Sequence, residues 1–306
     1  MTRILFCSFL LQLVLLSMAK IAAPQSAHVS IDDLLSERVV PPTERLTYGP
    51  DPLHFGELRL PAGKGPFPVA VLVHGGCWSA TLPGLDPRAT SYDLLRPMAA
   101  ALADAGIATW NIEYRRAGNP GGGWPGTFED IGRATDFLRT IAAKYKLDLS
   151  RVIVAGHSSG GHLAMWLAAR GKISAKSPLY TKDPLPLKGA IDIDGPIELT
   201  NHQPPERICG VPAIQQFLGG TPAEQPQRYR DATIASYLPT GVPQVLLFAT
   251  FVAPIEADIE AYAAKAKAAG DRFTIVPLKG SNHFDVISPR TEFFKTVVDT
   301  ANSLLG

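Results

Sequence analysis

The segment that most restricts the fold of this chain is a glycine-framed serine placed between a strand and a helix. Residues 156–160 read Gly-His-Ser-Ser-Gly, which fits the pattern G-x-S-x-G. They directly follow a short apolar run, residues 151–155, and directly precede a helical stretch that ends at Ala169. Such a sharp turn lifts a serine hydroxyl above the end of a sheet, and it needs glycines where backbone segments come close. We therefore predict a nucleophile elbow with Ser158 as the nucleophile.

Strands and helices alternate along the chain from Phe55 to its end. Residues 69–73 are a continuous apolar run that ends at a Gly-Gly pair, which is typical of a strand buried on both faces. Further strands are predicted at residues 107–112, 151–155, 190–193, 245–248 and 273–276, and helices at about 92–105, 127–145, 163–169, 256–269 and 290–304. This order predicts an α/β fold with a mostly parallel sheet and helices on both faces.

Two local features refine this outline. Thr127 with Asp130 three residues later resembles a capping box at the start of one helix that continues to Tyr145. A Pro-rich, weakly periodic segment at about residues 198–237 interrupts the alternation after the sixth strand. We expect it to form a cap-like insertion of short helices that walls a ligand pocket.

Composition limits the classes of protein to consider. Of the 306 residues, 46% are hydrophobic and 19% are charged, which indicates a globular protein. The 29 Lys and Arg residues balance 28 Asp and Glu residues, so the sequence lacks the basic excess of a nucleic-acid binder. The sequence shows no internal repeat, and we predict a single domain over residues 20–306.

Residues 1–19 resemble a signal peptide. Arg3 is followed by a largely apolar stretch over residues 4–18, shorter than the roughly 20 residues that span a bilayer. Ser17 and Ala19 place small residues where a signal peptidase cuts. We expect a secreted or periplasmic protein with no membrane partner after cleavage; the alternative is an uncleaved membrane anchor. Residues 28–47 are polar and are read as a leader or an edge segment.

Three cysteines are too few for a disulfide scaffold. Cys7 leaves with the predicted signal peptide, so Cys77 and Cys209 remain. Two cysteines in an oxidising compartment can pair, and Cys77 can equally be a small buried hydrophobe. The sequence leaves both alternatives open.

A serine nucleophile needs a base and a site for the oxyanion. Of the seven histidines, His283 is the one that follows the last predicted strand, where a base reaches Ser158 in this chain order. His157 and His162 flank the elbow and are expected to be structural.

The oxyanion needs backbone N–H groups that are already in place. Ser159 is predicted to supply one of them. The turn His-Gly-Gly-Cys-Trp after the strand at residues 69–73 is predicted to supply the rest from Gly75, Gly76 and Cys77, without a choice among these three.

Together these motifs resemble the α/β-hydrolase superfamily. The resemblance is carried by His-Gly-Gly-Cys-Trp at residues 74–78, by residues 110–116 and 121–127, by Gly-His-Ser-Ser-Gly-Gly-His at 156–162 and by Asn-His-Phe at 282–284. The branch it is most similar to is that of HGGxW esterases, which includes acetylxylan and feruloyl esterases, kynurenine formamidase-like enzymes and prolyl-oligopeptidase-like catalytic domains. The resemblance implies a serine hydrolase that cleaves small-molecule carboxylic esters through an acyl-enzyme.

The acid of the expected triad departs from the family pattern. The family carries an Asp at a position that here falls on Phe251 or Val252, and neither stabilises an imidazolium. Three alternatives stay open. The acid is Glu256 or Asp258 at the start of the next helix, it is Asp194 at the end of the preceding strand, or it has been lost.

Other readings of the same fold are weighed against the esterase. A formamidase is disfavoured by the export signal, and a prolyl-oligopeptidase-type peptidase by the short segment before Phe55. The alternative of another class is a non-catalytic binding protein. Trp78, Trp124 and Phe284 are candidates to line an apolar pocket. No cofactor or metal is implied by the ligand spacings, and oligomeric state is left open.

Overall fold

The structure is a computed structural model that describes residues 28–201, 203–249 and 255–306. The predicted signal peptide, residues 1–19, lies outside the described residues. The strands are β1 (Glu44–Thr47), β2 (Phe55–Arg59), β3 (Phe67–Val73), β4 (Ala108–Ile112), β5 (Leu147–His157), β6 (Gly189–Ile193), β7 (Gln244–Ala249) and β8 (Phe273–Leu278). The helices are α1 (Ile31–Ser36), α2 (Arg96–Asp104), α3 (Gly126–Asp136), α4 (Leu138–Tyr145), α5 (Ser159–Ala169), α6 (Gln203–Cys209), α7 (Ala213–Leu218), α8 (Pro226–Ala232), α9 (Glu256–Ala269) and α10 (Phe294–Leu305).

The described strands form one sheet in the order β1-β2-β4-β3-β5-β6-β7-β8. Neighbours from β4 to β8 are parallel, whereas β2 pairs antiparallel with both β1 and β4. The predicted α/β fold with a mostly parallel sheet is therefore confirmed. The polar segment before Phe55 contributes α1 and the edge strand β1, so it is an edge element of the fold.

Both faces of the sheet are buried, as β3 shows. Val69, Val71 and Val73 point into one apolar core, and Ala70 and Leu72 point into the other. The first core is covered by α3, α4, α5 and α9, and the second by α1, α2 and α10. The continuous apolar run of β3 follows from this double burial, since every side chain of a central parallel strand meets a helix layer.

The strand order of the sheet reverses at β3 and β5, which are neighbours in the sheet. The chain passes from β3 outward to β4 and then returns to place β5 on the other side of β3. In open α/β sheets a ligand crevice forms at the carboxyl ends of such a pair. The two predicted functional turns follow these two strands.

The segment between β6 and β7 forms the predicted insertion. It holds α6, α7, α8 and a 3-10 turn, Ile234–Tyr237, and packs apolar side chains such as Phe217 on the first core. Within the described residues, none of the helices has the length and hydropathy that crossing a bilayer requires.

The helix predicted from Thr127 to Tyr145 differs from the prediction in two ways. It is divided at Phe137 into α3 and α4, and the predicted capping box is absent. The Thr127 hydroxyl donates to the Arg115 carbonyl, while the Asp130 carboxylate binds the Arg115 guanidinium and the ring of His54. Thr127 and Asp130 therefore bind residues that are distant in sequence, and they do not form the local capping box that their spacing predicted.

Candidate active site

The tight turn that carries Ser158 joins β5 directly to α5. Ser158 has φ 56° and ψ −128°, a sparsely populated conformation for a residue with a side chain. Its N–H donates to the Ile193 carbonyl at the end of β6 (2.8 Å), and its carbonyl accepts from the Gly161 N–H (2.7 Å). The surrounding backbone thus fixes the strained turn of a nucleophile elbow.

Glycines make this turn possible because backbone segments cross it closely. A Cβ at Gly156 would lie 1.9 Å from the Gly160 carbonyl oxygen. A Cβ at Gly160 would lie 2.2 Å from the Val73 carbonyl oxygen, at the end of the neighbouring strand β3. The two framing glycines of the sequence motif are therefore required by contact between strand, turn and helix.

His283 lies in the loop after β8 and lines the same cavity as Ser158. Its Nδ1 is 2.5 Å from Oδ2 of Asp194. A carboxylate can only accept at neutral pH, so this contact assigns the hydrogen to Nδ1 and leaves Nε2 as the basic nitrogen. The loop is also tied to the elbow, because Nε2 of His157 donates to the His283 carbonyl oxygen (2.8 Å).

Asp194 directly follows β6, one residue after the carbonyl that binds Ser158. It has φ 57°, and its carboxylate is buried. Oδ1 accepts the N–H of Ala249 at the end of β7 (3.0 Å), so both carboxylate oxygens have a partner. In the family pattern the acid follows the strand that corresponds to β7. Here β7 instead contributes the Ala249 N–H, which orients the carboxylate of Asp194 at the end of β6.

The other acid candidates lie elsewhere. Glu256 is an exposed residue at the start of α9, and Oδ2 of Asp258 accepts from the side-chain amide of Asn201 (2.6 Å). In the described part of the chain neither carboxylate forms a hydrogen bond or ion pair with His283. Phe251 and Val252, where the family pattern places its acid, lie outside the described residues. The geometry favours Asp194 over both Glu256 and loss of the acid.

The turn after β3 lies directly against the elbow. A Cβ at Gly75 would be 2.8 Å from the His157 carbonyl oxygen and 3.0 Å from Cβ of Ser158. Gly76 and Cys77 have φ 102° and 56°. Of the four candidate oxyanion donors, Cys77 and Ser159 line the cavity with Ser158, whereas Gly75 packs against the elbow and Gly76 against Thr90.

A buried network holds this turn. His74 is fully buried, with Nε2 at 3.1 Å from the Glu113 carboxylate and Nδ1 at 2.8 Å from the Gly75 carbonyl oxygen. Burial alone would raise the pKa of Glu113, but the neighbouring His74 and Arg116 outweigh it and lower the pKa. Tyr114 stacks on the His74 ring and donates its hydroxyl to the His74 carbonyl (2.7 Å). No role was predicted for Glu113, although it follows β4 as His74 follows β3.

A disulfide joins the turn to the insertion. Cys77 and Cys209 are bonded, with 6.0 Å between their Cα atoms, and Cys209 ends α6. Of the two alternatives for these cysteines, the structure shows the pair. The cavity beside Ser158 is lined by the disulfide and by apolar side chains from the turn, the insertion and the start of α9: Trp78, Pro196, Pro205, Ile208 and Ile255.

One of the three predicted pocket aromatics lines this cavity, namely Trp78. Its indole N–H donates to Nδ1 of His162 (3.3 Å), and Nε2 of His162 donates to the Ala232 carbonyl (2.9 Å). Trp124 instead packs edge-on against Phe128. Phe284 packs against the rings of His157 and His283, outside the lining.

The two histidines that flank the elbow have depressed basicity. Burial lowers the pKa of His162 to about 4. Burial, and then the neighbouring charge of His283, lowers the pKa of His157 well below the ordinary value of 6.5. Both rings are therefore neutral at pH 7 and serve as hydrogen-bonded supports, as the sequence analysis expected.

The BD-FAE family model matches residues 57–251, which include the turn after β3, the elbow and Asp194. The chain belongs to the BD-FAE family. This confirms the predicted resemblance to α/β-hydrolase esterases.

Two curated relatives of this BD-FAE chain come from Mycobacterium tuberculosis. Esterase LipQ is 25% identical over 177 residues, 58% of this chain and 39% of LipQ. Esterase LipC is 31% identical over 141 residues, 44% of this chain and 31% of LipC. The aligned part of the chain thus spans less than two fifths of either relative.

Solved structures show the same fold. A truncated carbohydrate esterase from gut microbiota superposes with a TM-score of 0.67 at 19% identity, over 85% of this chain and 94% of that one. Esterase 2 of Thermogutta terrifontis with butyrate bound superposes with a TM-score of 0.66 at 20% identity, over 87% of this chain and 94% of that one. At these identities the likeness establishes the fold alone.

Proposed function

We propose that this BD-FAE protein is a serine esterase that hydrolyses small carboxylic esters through an acyl-enzyme. Ser158 is the nucleophile, His283 the general base and Asp194 the triad acid. The observation that carries the proposal is the 2.5 Å contact between Asp194 and His283 beside the strained turn of Ser158. A nucleophile and a base oriented by a third group are the arrangement that acyl transfer requires.

The proposed reaction has two steps, acylation of Ser158 and hydrolysis of the acyl-enzyme. Oγ of Ser158 attacks the ester carbonyl carbon while its proton passes to Nε2 of His283. The oxyanion is held by the N–H groups of Ser159 and Cys77, and Asp194 stabilises the imidazolium. The C–O bond to the alcohol then breaks, and His283 returns the proton to the departing oxygen. In the second half a water attacks the acyl group, His283 takes its proton, and the carboxylic acid leaves as Ser158 is reprotonated.

The named relatives support an esterase. LipQ and LipC are both esterases, and a solved structure of Thermogutta terrifontis esterase 2, 18% identical, is phosphonylated by sarin. The apolar lining of the cavity supports an ester whose acyl or alcohol part is hydrophobic, because transfer of such a group from water into an apolar cavity is favourable.

We also propose that the protein is exported. The disulfide between Cys77 and Cys209 supports this proposal, because structural disulfides persist in oxidising compartments. The signal-like composition of residues 1–19 supports it independently. N-terminal sequencing of protein recovered outside the cytoplasm tests it, with Ile21-Ala22 expected at the second and third positions after cleavage following Ala19.

Fluorophosphonate labelling with peptide mapping tests the enzymatic proposal. We expect one label on Ser158 rather than Ser159, and its loss in Ser158→Ala. Rates on matched acetyl, feruloyl and formyl-anilide substrates then separate an esterase from a formamidase. A folded wild type that takes no label would reject the proposal in favour of a binding protein, and equal hydrolysis by Ser158→Ala would reject Ser158 as the nucleophile.

A further inference from the structure

Asp285 lies two residues after His283 and is 3% exposed. Both oxygens of its carboxylate form hydrogen bonds. Oδ1 accepts the N–H of Val29 (2.8 Å), and Oδ2 lies 2.6 Å from Nδ1 of His28 and accepts the N–H of Asn282 (2.8 Å). The partners at positions 28 and 29 are more than 250 residues away in sequence, so the carboxylate joins the start of the described chain to the loop after β8.

Asn282, on the other side of His283, completes the same connection. Its Oδ1 accepts the N–H groups of Phe284 (2.8 Å) and Asp285 (2.7 Å), which closes the turn around His283. Its Nδ2 donates to the Val29 carbonyl oxygen (2.9 Å). The backbone N–H and carbonyl of Val29 therefore bind the side chains of Asp285 and Asn282, which lie on either side of His283 in the sequence.

The segment that supplies Val29 is itself well anchored. We call residues 28–36 the N-terminal strap; it contains α1. Leu34 is 1% exposed and packs in the second core, which also holds Val286 and Ile287 of the His283 loop. Ser30 and Asp33 form a capping box that starts α1. Such an anchor can resist movement of the loop, because moving the loop would disturb a packed core.

We propose that the N-terminal strap positions the general base, and that Asp285 is the positioning residue through which it acts. This inference rests on the proposed function, since it assigns His283 a role in proton transfer. His283 is then held from three sides: by Asp194 at Nδ1, by His157 at its carbonyl oxygen and by the strap through Asp285. A misplacement of about 1 Å in such a group can lower a rate by about 100-fold.

Asp285→Asn is the primary variant, because an amide keeps the shape but cannot accept hydrogen bonds at both positions. We expect kcat to fall by about 10- to 100-fold, with KM changed by less than about twofold, since the cavity lining is not touched. His28→Ala removes one partner of three and should lower kcat less. Asp32→Asn changes an exposed carboxylate of α1 within the strap; it is the matched control and should behave as the wild type.

A double-mutant cycle with His283→Ala separates positioning from a general structural role. If Asp285 acts through His283, Asp285→Asn should leave the residual rate of His283→Ala within about twofold, because coupled sites are not additive. An equal loss in both backgrounds, or no loss in the wild-type background, would overturn the inference.

Hydrogen exchange of the peptide over residues 282–287 gives a readout that does not need turnover. We expect faster exchange in Asp285→Asn and in His28→Ala than in Asp32→Asn. Unchanged exchange would overturn the inference even where kcat falls. If the wild type and Ser158→Ala hydrolyse esters equally, the proposed function fails and the inference fails with it, whereas faster exchange would still show the strap holding the loop.

Discussion

Asp194 and His283 meet at the carboxyl edge of the sheet with 2.5 Å between the carboxylate Oδ2 and the imidazole Nδ1. The two residues come from the end of β6 and from the loop after β8, with β7 between these strands in the sheet. The Asp194 side chain reaches across β7 by accepting the Ala249 N–H on its other oxygen. In the proposed triad, a carboxylate one strand earlier than the family pattern therefore orients His283.

Replacing this carboxylate should cost the proposed esterase most of its rate. Asp194→Asn would present an amide to Nδ1 and favour the wrong tautomer of His283, so we expect kcat to fall by about 10⁴-fold on a small aryl ester. Glu256→Gln and Asp258→Asn are matched controls and should keep kcat within about twofold. Steady-state kinetics on the three variants decides the assignment, and a comparable loss in Glu256→Gln would refute it.

The disulfide should stabilise both the fold and the cavity. It closes a separation of 132 residues and joins the turn of Cys77 to α6. Cys209→Ala should lower the free energy of unfolding by about 2–5 kcal/mol. It should also lower kcat, because Cys77 belongs to the proposed oxyanion site. Denaturant unfolding and kinetics, each with and without reductant, provide the check: reductant should affect the wild type and leave Cys209→Ala unchanged, and an equal response of both proteins would contradict the prediction.

The elbow and the strands were predictable because their information is local. The apolar run at residues 151–155 and the glycines around Ser158 lie within a few positions of one another, and their spacing alone determines a strand, a turn and a helix. His283 was identified by its place after the last strand. For such residues the chain order of a parallel sheet determines which edge they reach.

The acid and the strap depend on contacts that sequence patterns do not encode. Asp194 follows β6 and Glu256 follows β7 at the same edge of the sheet, and the contact with His283 together with the hydrogen bond to Ala249 favours Asp194. Val29 lies in a segment that was read from the sequence as polar, and its role comes from partners about 250 positions away. The capping box at Thr127 failed for the same reason, because Asp130 finds Arg115 and His54 in the folded state.

His162 should make the protein sensitive to acid. Burial lowers the pKa of His162 to about 4, whereas the unfolded chain protonates it near the ordinary value of 6.5. As pH falls through this interval the unfolded state binds the proton first, so stability is lost between about pH 6.5 and 4, by about 3 kcal/mol from this group. His157, whose pKa is also lowered by burial, adds to the loss.

Denaturant unfolding of the wild type and of His162→Gln at pH 7, 6, 5 and 4 measures this effect. Gln removes the titration while keeping a donor for the Ala232 carbonyl. We expect the variant to be less stable at pH 7 and to lose less stability on acidification. The same slope in both proteins would show that His162 does not titrate in this interval.

Asp192 should have the opposite effect on the pH dependence of stability. It is fully buried behind the elbow, where Oδ1 accepts the Gly195 N–H (2.8 Å) and Oδ2 has no partner in the part of the chain that the structure describes. Burial raises the pKa of Asp192 to about 8, and the charge of Asp194 adds to this rise. The unfolded chain loses the proton near pH 3.8, so between pH 3.8 and 8 the folded state holds one proton more and stability falls as pH rises.

Asp192→Asn should therefore stabilise the protein at pH 8 and change little at pH 4. The amide keeps an acceptor for Gly195 and does not titrate, so the stability that the wild type loses across the interval is retained. Denaturant unfolding at pH 4, 6 and 8 checks this, with the exposed Asp183→Asn as control. If the stability difference between Asp192→Asn and the wild type does not widen from pH 4 to pH 8, Asp192 is already ionised in the folded protein. Its Oδ2, which has no partner among the described residues, then carries negative charge beside the proposed triad acid.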